Sequence, residues 1–284
     1  SQLISDITRL KQAGAKLVWT LHNRLPHDAT AEAIEIAGRM HRFVAEQFDL
    51  VFVMGEEARQ EASKHFDLSK IRLVPHTSYQ YVYGAPVPRN QARERLKLPA
   101  DDFIFETLGT IRPYKGLELI VEAFKGLEGN NLRLLIAGGV KSPEYLEQLR
   151  QLTSSDERIL IHGAEKRIPA EDMALWLGVP DAAVFGFKNI LTSGSAILAL
   201  SYGLPVIAPK SGDIPAVVVP EQTGFLYEQN NVDSLREAMQ KAAESQILDH
   251  MRFMAGVFME RVSPEIITAQ TEEIYAHLLG IDID

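Results

Sequence analysis

Cysteine is absent from all 284 residues. That excludes a disulfide framework and any thiolate metal site, and it is compatible with a reducing compartment. Positive charge is also in short supply: 29 lysines and arginines against 38 aspartates and glutamates leave a formal net charge of -9. Proteins whose main partner is duplex nucleic acid carry a basic face that replaces condensed counterions, so no nucleic acid partner is expected. Long hydrophobic runs are missing too. No segment reads as a signal peptide or a spanning helix, and the most apolar region, 182–208, is interrupted by Lys188, three glycines and a proline. Short-period repeats and low-complexity tracts do not occur. The expectation is a cytoplasmic protein that can associate peripherally with the inner face of a membrane.

What is present is an ordinary globular composition, 46% hydrophobic and 24% charged, in a length that fits one large domain or two medium ones. Short apolar runs alternate with longer amphipathic ones. "KLVWTL", "LVFVM" and "IRLVP" read as buried strands in the first ninety residues, separated by helical spacing such as "ATAEAIEIAGRMHRFVAEQF". After the proline-bearing stretch "YGAPVPRN" the alternation resumes with "FIFETL", "LRLLIAGG", "RILIHG", "AAVFGF" and "PVIAP", and a shorter candidate at "TGFLYE". Continuous apolar strands separated by helices imply α/β architecture with parallel sheets covered on both faces. The expected organisation is a first Rossmann-type domain over 1–88, a second over 89–262, and a C-terminal helix over 263–284. The apolar stripe of that helix, Ile266, Ile267, Ile274, Tyr275, Leu278 and Leu279, either completes the second domain or crosses back to brace the first.

Ligands of open parallel sheets bind beyond the carboxyl ends of the strands, and four such ends are informative here. "GTIRPYKGLEL" follows "FIFETL": Gly109 lets the backbone come close, and Arg112 and Lys115 can reach into the crevice. Cations are unfavourable at a helix start unless an anion compensates, so two of them suggest a phosphate rather than solvated surface charge. "ILTSGSAILALSYGLPVIAP" offers Thr192 or Ser193 as a helix cap, with Gly194 baring the backbone. The N–H groups of residues 193–195 could hold a second phosphate, though an ordinary cap before a core helix explains the pattern equally well. "LLIAGG" ends in a tight turn at Gly138 and Gly139, a feature common to all α/β proteins. Finally, "VWTLHNRLPHD" puts His22 at a strand end, normally a satisfied loop residue. A metal site from His22, His27 and His76 is not expected, because no carboxylate or cysteine has the spacing for one.

Taken together, "GTIRPYKGLELIVEAF", "LRLLIAGG", "TSGSAILALSYGLPVIAP", "GDIPAVV" and "TGFLY" resemble the donor-binding half of a GT-B glycosyltransferase. The likeness is nearest to glycosyltransferase family four and its bacterial exopolysaccharide relatives. "VWTLHN", "FDLVFVMGEEARQEASKHF" and "IRLVPH" look like the end of the acceptor half, and the motifs run in the right order along nearly the whole chain. The resemblance implies sugar transfer in polysaccharide biosynthesis, from a nucleotide sugar such as GDP-mannose to a glycan or lipid-linked oligosaccharide, with no cofactor and no bound metal. It gives Lys115 the place of the family lysine that contacts the donor diphosphate, and His22 that of the histidine near the transferred sugar. Gly109, Thr110 and Gly138, with Thr192, Ser193, Gly194 and Ser195, fall on the donor-binding segments. The family arginine stands just after the glycine, at Thr110 here, so Arg112 is a displaced substitute for it.

Two departures accompany the resemblance. The family's pair of glutamates beside the phosphate turn is replaced by Ile190 and Leu198, neither of which can accept a hydrogen bond from a sugar. Either the "TSGS" turn with Lys188 or Asn189 substitutes, which is the favoured reading, or the enzyme is impaired; the missing glutamates and the short first domain also leave open a non-catalytic nucleotide-sugar-binding subunit that supports a partner transferase. A different enzyme on the same scaffold, such as an epimerase or a phosphorylase, is a further class, although no lysine motif suggests a pyridoxal cofactor. The second departure is length. The βα units that normally begin a GT-B acceptor domain are absent, so the expected first domain is incomplete or the chain is a fragment. An incomplete sheet exposes a strand edge and invites oligomerisation or a partner.

Overall fold

The computed structural model describes residues 2–23, 30–164 and 167–282. Contacts divide the chain into two units, one made of 1–77 with 264–284 and the other of 78–263.

The first unit begins with α1 (Gln2–Gln12), β1 (Val18–Thr20), α2 (Ala31–Gln47), β2 (Leu50–Val53), α3 (Glu56–Ser63) and β3 (Ile71–Leu73). Its sheet has the order β1-β2-β3 and is parallel throughout. The central strand β2 is buried at all four positions, the burial expected of a parallel strand covered on both faces. Thr30 starts α2 as its cap, its hydroxyl accepting the Ala33 N–H at 3.2 Å.

The second unit contains α4 (Arg89–Arg95), β4 (Phe103–Leu108), α5 (Leu117–Lys125), β5 (Leu132–Gly139), α6 (Pro143–Thr153), β6 (Ile159–Ala164), α7 (Met173–Trp176) and β7 (Ala182–Val184). It continues through α8 (Gly194–Ser201), β8 (Val206–Pro209), α9 (Ile214–Val217), β9 (Gly224–Tyr227), α10 (Val232–Ala243) and α11 (Leu248–Glu260). The six parallel strands are ordered β6-β5-β4-β7-β8-β9. Alternate residues of each strand enter opposite cores. Phe105, Ile136, Val184 and Ile207 meet α5 and α10 on one face, while Ile104 and Leu135 pack with Trp176, and Ala183, Val206 and Ala208 with Leu200 and Met259, on the other. The strand order reverses between β4 and β7. In a doubly wound sheet that switch point opens a crevice beyond the carboxyl ends, which here are the segments that follow Leu108 and Val184.

The break between units lies between Thr77 and Ser78, ahead of the proline-bearing stretch. Ser78–Val87 is tied to the second unit by its backbone: Ser78 N–H donates to the Val262 carbonyl at 2.8 Å and Val87 N–H to the Ala174 carbonyl at 3.0 Å. The Tyr79 and Tyr83 N–H groups bond the hydroxyls of Ser201 and Tyr202, each at 2.8 Å. The last helix, α12 (Pro264–Leu279), belongs to the first unit. Tyr275 stacks on Phe52 with ring centroids 5.8 Å apart, and Gln270 donates to the Leu73 carbonyl at 3.0 Å.

Candidate functional site

Strand β4 ends at a point where two backbones nearly touch. Gly109 has φ +136°, its N–H bonds the Ala137 carbonyl at 2.9 Å, and the neighbouring Gly138 has φ +153°. A Cβ on Gly138 would overlap the Gly109 carbonyl, and one on Gly109 would come within 3.3 Å of Lys115 Nζ and 3.8 Å of Ser195 Oγ. Side chains are therefore excluded from the floor of the crevice.

The chain then folds back. From the extended Arg112 a 3-10 turn runs over Pro113–Lys115, and Gly116, left-handed at φ +62°, passes it directly into α5. This return carries Lys115 inward until its side chain is 7% exposed. Its Nζ donates to Ser195 Oγ at 2.9 Å and sits 5.9 Å and 5.3 Å from the ring centroids of Tyr114 and Phe187. Among the described residues no carboxylate pairs with it. Burial, with no compensating anion, lowers the Lys115 ammonium from 10.5 to about 8.

Ser195 comes from the head of α8. Of the two candidate caps, Ser193 serves: its buried hydroxyl accepts the Ala196 N–H at 3.1 Å. The N–H groups of Gly194 and Ser195 then lie in the first turn, where a helix offers them no acceptor of its own.

Gly109, Thr110, Lys115, Gly138 and Ser195 line one cavity of about 470 Å³. None of the described lining residues is acidic. Arg112, Thr192, Ser193 and Gly194 are not part of the wall, although the Arg112 guanidinium lies 5.5 Å from the ring centroid of Tyr114, which is. His22 follows β1, is exposed, and belongs to the first unit, whereas Lys115 belongs to the second. Leu198 lines the cavity, while Ile190 is 5% exposed and packs in the core beneath α8.

Sequence reasoning missed several residues of the wall, among them Tyr83, Arg167 and Met173. The strand-end rule, applied also to "RILIHG", leads to the segment with Arg167 and Met173. For Tyr83, which precedes every strand of its unit, no local signal exists. His27 lies outside the described residues. Among those described, no group of three or more histidines and carboxylates could hold a metal ion, and no helix is long and apolar enough to cross a membrane.

Comparison with known proteins adds a family. Residues 88–254 match the protein family described as glycosyl transferases group 1. The D-inositol 3-phosphate glycosyltransferase of Xylanimonas cellulosilytica is 28% identical over 229 residues, covering 75% of this chain and 54% of that protein. A GDP-mannose:glycolipid 4-beta-D-mannosyltransferase of Xanthomonas campestris pv. campestris is 31% identical over 124 residues, 42% of this chain and 34% of its own. This chain therefore spans about half the length of the first of these relatives, at 54%, and a smaller share of the second, at 34%. Among solved structures, sucrose-phosphate synthase from Thermosynechococcus elongatus superposes with a TM-score of 0.81 at 23% identity, over 96% of this chain and 70% of that one. Anabaena HepE in complex with UDP gives 0.82 at 16% identity, over 97% and 76%. The likeness is one of fold, and that fold is GT-B.

Proposed function

We infer that this chain, which belongs to the glycosyl transferases group 1 family, transfers a sugar from a nucleotide sugar to a glycan or lipid-linked acceptor. The observation that carries the reading is Lys115, a buried ammonium with no carboxylate partner among the described residues, on the wall of a cavity whose described lining has no acidic side chain. Such a charge favours an anion that brings its own compensation, and glycine-bared backbone lets that anion come close. A nucleoside diphosphate fits both features.

As the bond from sugar to diphosphate breaks, negative charge grows on the leaving phosphate. Lys115 and the first-turn N–H groups of α8 stabilise that charge, with Arg112 adding field from beside Tyr114. These cations take the place that a metal ion would otherwise fill, so neither metal nor cofactor is required. GDP-mannose is the first donor to try because one relative carries it in its name. A lipid-linked acceptor in polysaccharide biosynthesis would place the work on the cytoplasmic face of a membrane.

Leu198 on the cavity wall, where the family has a glutamate, favours a second reading: a nucleotide-sugar-binding subunit that does not turn over. One experiment separates the two. The protein is incubated with GDP-mannose or UDP-glucose and a lipid-linked oligosaccharide acceptor, with and without EDTA, and release of nucleoside diphosphate as the sugar passes to the acceptor or to water is followed. Release that EDTA leaves unchanged is the expected outcome. Binding with no release supports the subunit, and dependence on added divalent metal removes the metal-free mechanism.

A further inference from the structure

The partner of Lys115 is a hydroxyl, and that choice has a chemical consequence. A carboxylate beside a buried lysine would hold it protonated at every pH near neutrality. A serine hydroxyl is ambivalent: it accepts from an ammonium, and it donates to the lone pair of a neutral amine. The contact between Lys115 Nζ and Ser195 Oγ, 2.9 Å long, is therefore satisfied in both protonation states without movement of either element.

The surroundings leave the choice of state to whatever enters the cavity. Leu108 and Gly109 at the end of β4 bring no charge. The lysine's own turn brings the Tyr114 phenol and the Arg112 guanidinium, the segment after β6 brings Arg167, and the segment after β7 brings the Phe187 ring. Glu118, in the first turn of α5, pairs with Lys188 at 3.6 Å. Glu106, two residues before Leu108, is pushed toward its neutral acid by burial. Among the described lining residues, the one charged group besides Lys115 is Arg167, also a cation, and burial disfavours the Lys115 ammonium until an anion arrives.

We propose that the cavity takes up its anionic ligand together with a proton from solvent, which is received by Lys115 Nζ while Ser195 Oγ turns from donor to acceptor in the same contact. The proposal rests on the donor reading only in that the ligand is a diphosphate. Free, Lys115 titrates at about 8. With phosphate oxygens beside it the ammonium is favoured, so the loaded site holds its proton to higher pH.

Calorimetric titration with GDP-mannose and UDP-glucose tests this, because the diphosphate of a nucleotide sugar has no group of its own that titrates near neutrality. Heats measured in Tris and in HEPES at the same pH differ by the number of protons taken up multiplied by the difference in the two buffers' ionisation enthalpies. About half a proton per site is expected at pH 8, rising with pH, and affinity should fall by up to tenfold per pH unit above that. Lys115→Arg should abolish the uptake, since a guanidinium is always charged. Heat that is independent of buffer in the wild type overturns the proposal while leaving the donor reading intact. Uptake retained in Lys115→Arg overturns it as well. Should the arginine variant fail to fold, the wild-type comparison decides alone. No binding of either nucleotide sugar would remove the donor reading and this one with it.

Discussion

Arg93 of α4 and Asp181, the residue before β7, form a buried ion pair at 2.6 Å, with side chains 2% and 7% exposed. The same carboxylate oxygen accepts the Ile104 N–H at 2.8 Å, and the guanidinium also donates to the carbonyls of Val179, Ala100 and Asp102. The pair fastens α4 and the loop before β4 onto the two strands that flank the switch point, and so sets the frame from which Gly109 and Lys115 project.

Removing one partner leaves the other charged, buried and unpaired. Asp181→Ala should cost about 3–5 kcal/mol of stability, measured by denaturant unfolding. A cost near that of an exposed ion pair, below about 1 kcal/mol, would mean that the frame does not depend on this contact.

Gly138→Ala tests the close approach of the two strand ends. The added methyl would meet the Gly109 carbonyl, in a backbone conformation that L side chains rarely adopt. A loss of more than about 1 kcal/mol is expected, together with weaker nucleotide binding, because relief of the overlap must move Gly109 into the cavity. A variant as stable as the wild type, with unchanged affinity, would contradict the geometry.

Lys115→Met keeps the apolar stem and removes the charge. If Lys115 stabilises the leaving diphosphate, turnover should fall by about a hundredfold or more, as for loss of one oxyanion donor. The melting temperature should hold or rise, since a buried cation lacking a counterion has been deleted. Loss of folding in parallel with turnover would assign Lys115 a structural role.

Glu106 is 1% exposed on the central strand, its Oε1 has no hydrogen-bond partner among the described residues, and burial raises it well above the ordinary glutamate value of 4.5. A carboxyl raised in the folded state binds a proton there that the unfolded chain has released. Its contribution to stability is full below 4.5 and is lost as pH rises toward the folded value. Glu106→Gln removes that loss. The variant should be more stable than the wild type at pH 8, with the difference shrinking toward pH 4, as read by denaturant unfolding at both. A difference that does not vary with pH would show that Glu106 does not titrate in the folded protein.

Much of the fold was legible from the apolar runs. Each of the nine strands among the described residues sits on one of them, because a parallel strand covered on both faces has few polar positions to break the run. Part of the cavity lining was legible as well: Gly109 and Gly138 stand at strand ends, Lys115 follows β4 in the turn before α5, and all three line the cavity. The break at Thr77 was not, since it follows from hydrogen bonds between Ser78–Tyr83 and residues more than a hundred positions later. Nor was the burial of Glu106, which "FIFETL" gives no local reason to expect.

By itself, the sequence determined the parallel α/β character and the places where only glycine suits the backbone, because both depend on local spacing and on φ. It also put an arginine and a lysine at the start of a helix. Only the tertiary structure decided what that lysine is. Its burial, its lack of a carboxylate partner among the described residues and its hydroxyl partner depend on a contact with Ser195, on an element far along the chain. The charge state of a group is set by everything that packs around it, and no local pattern carries that.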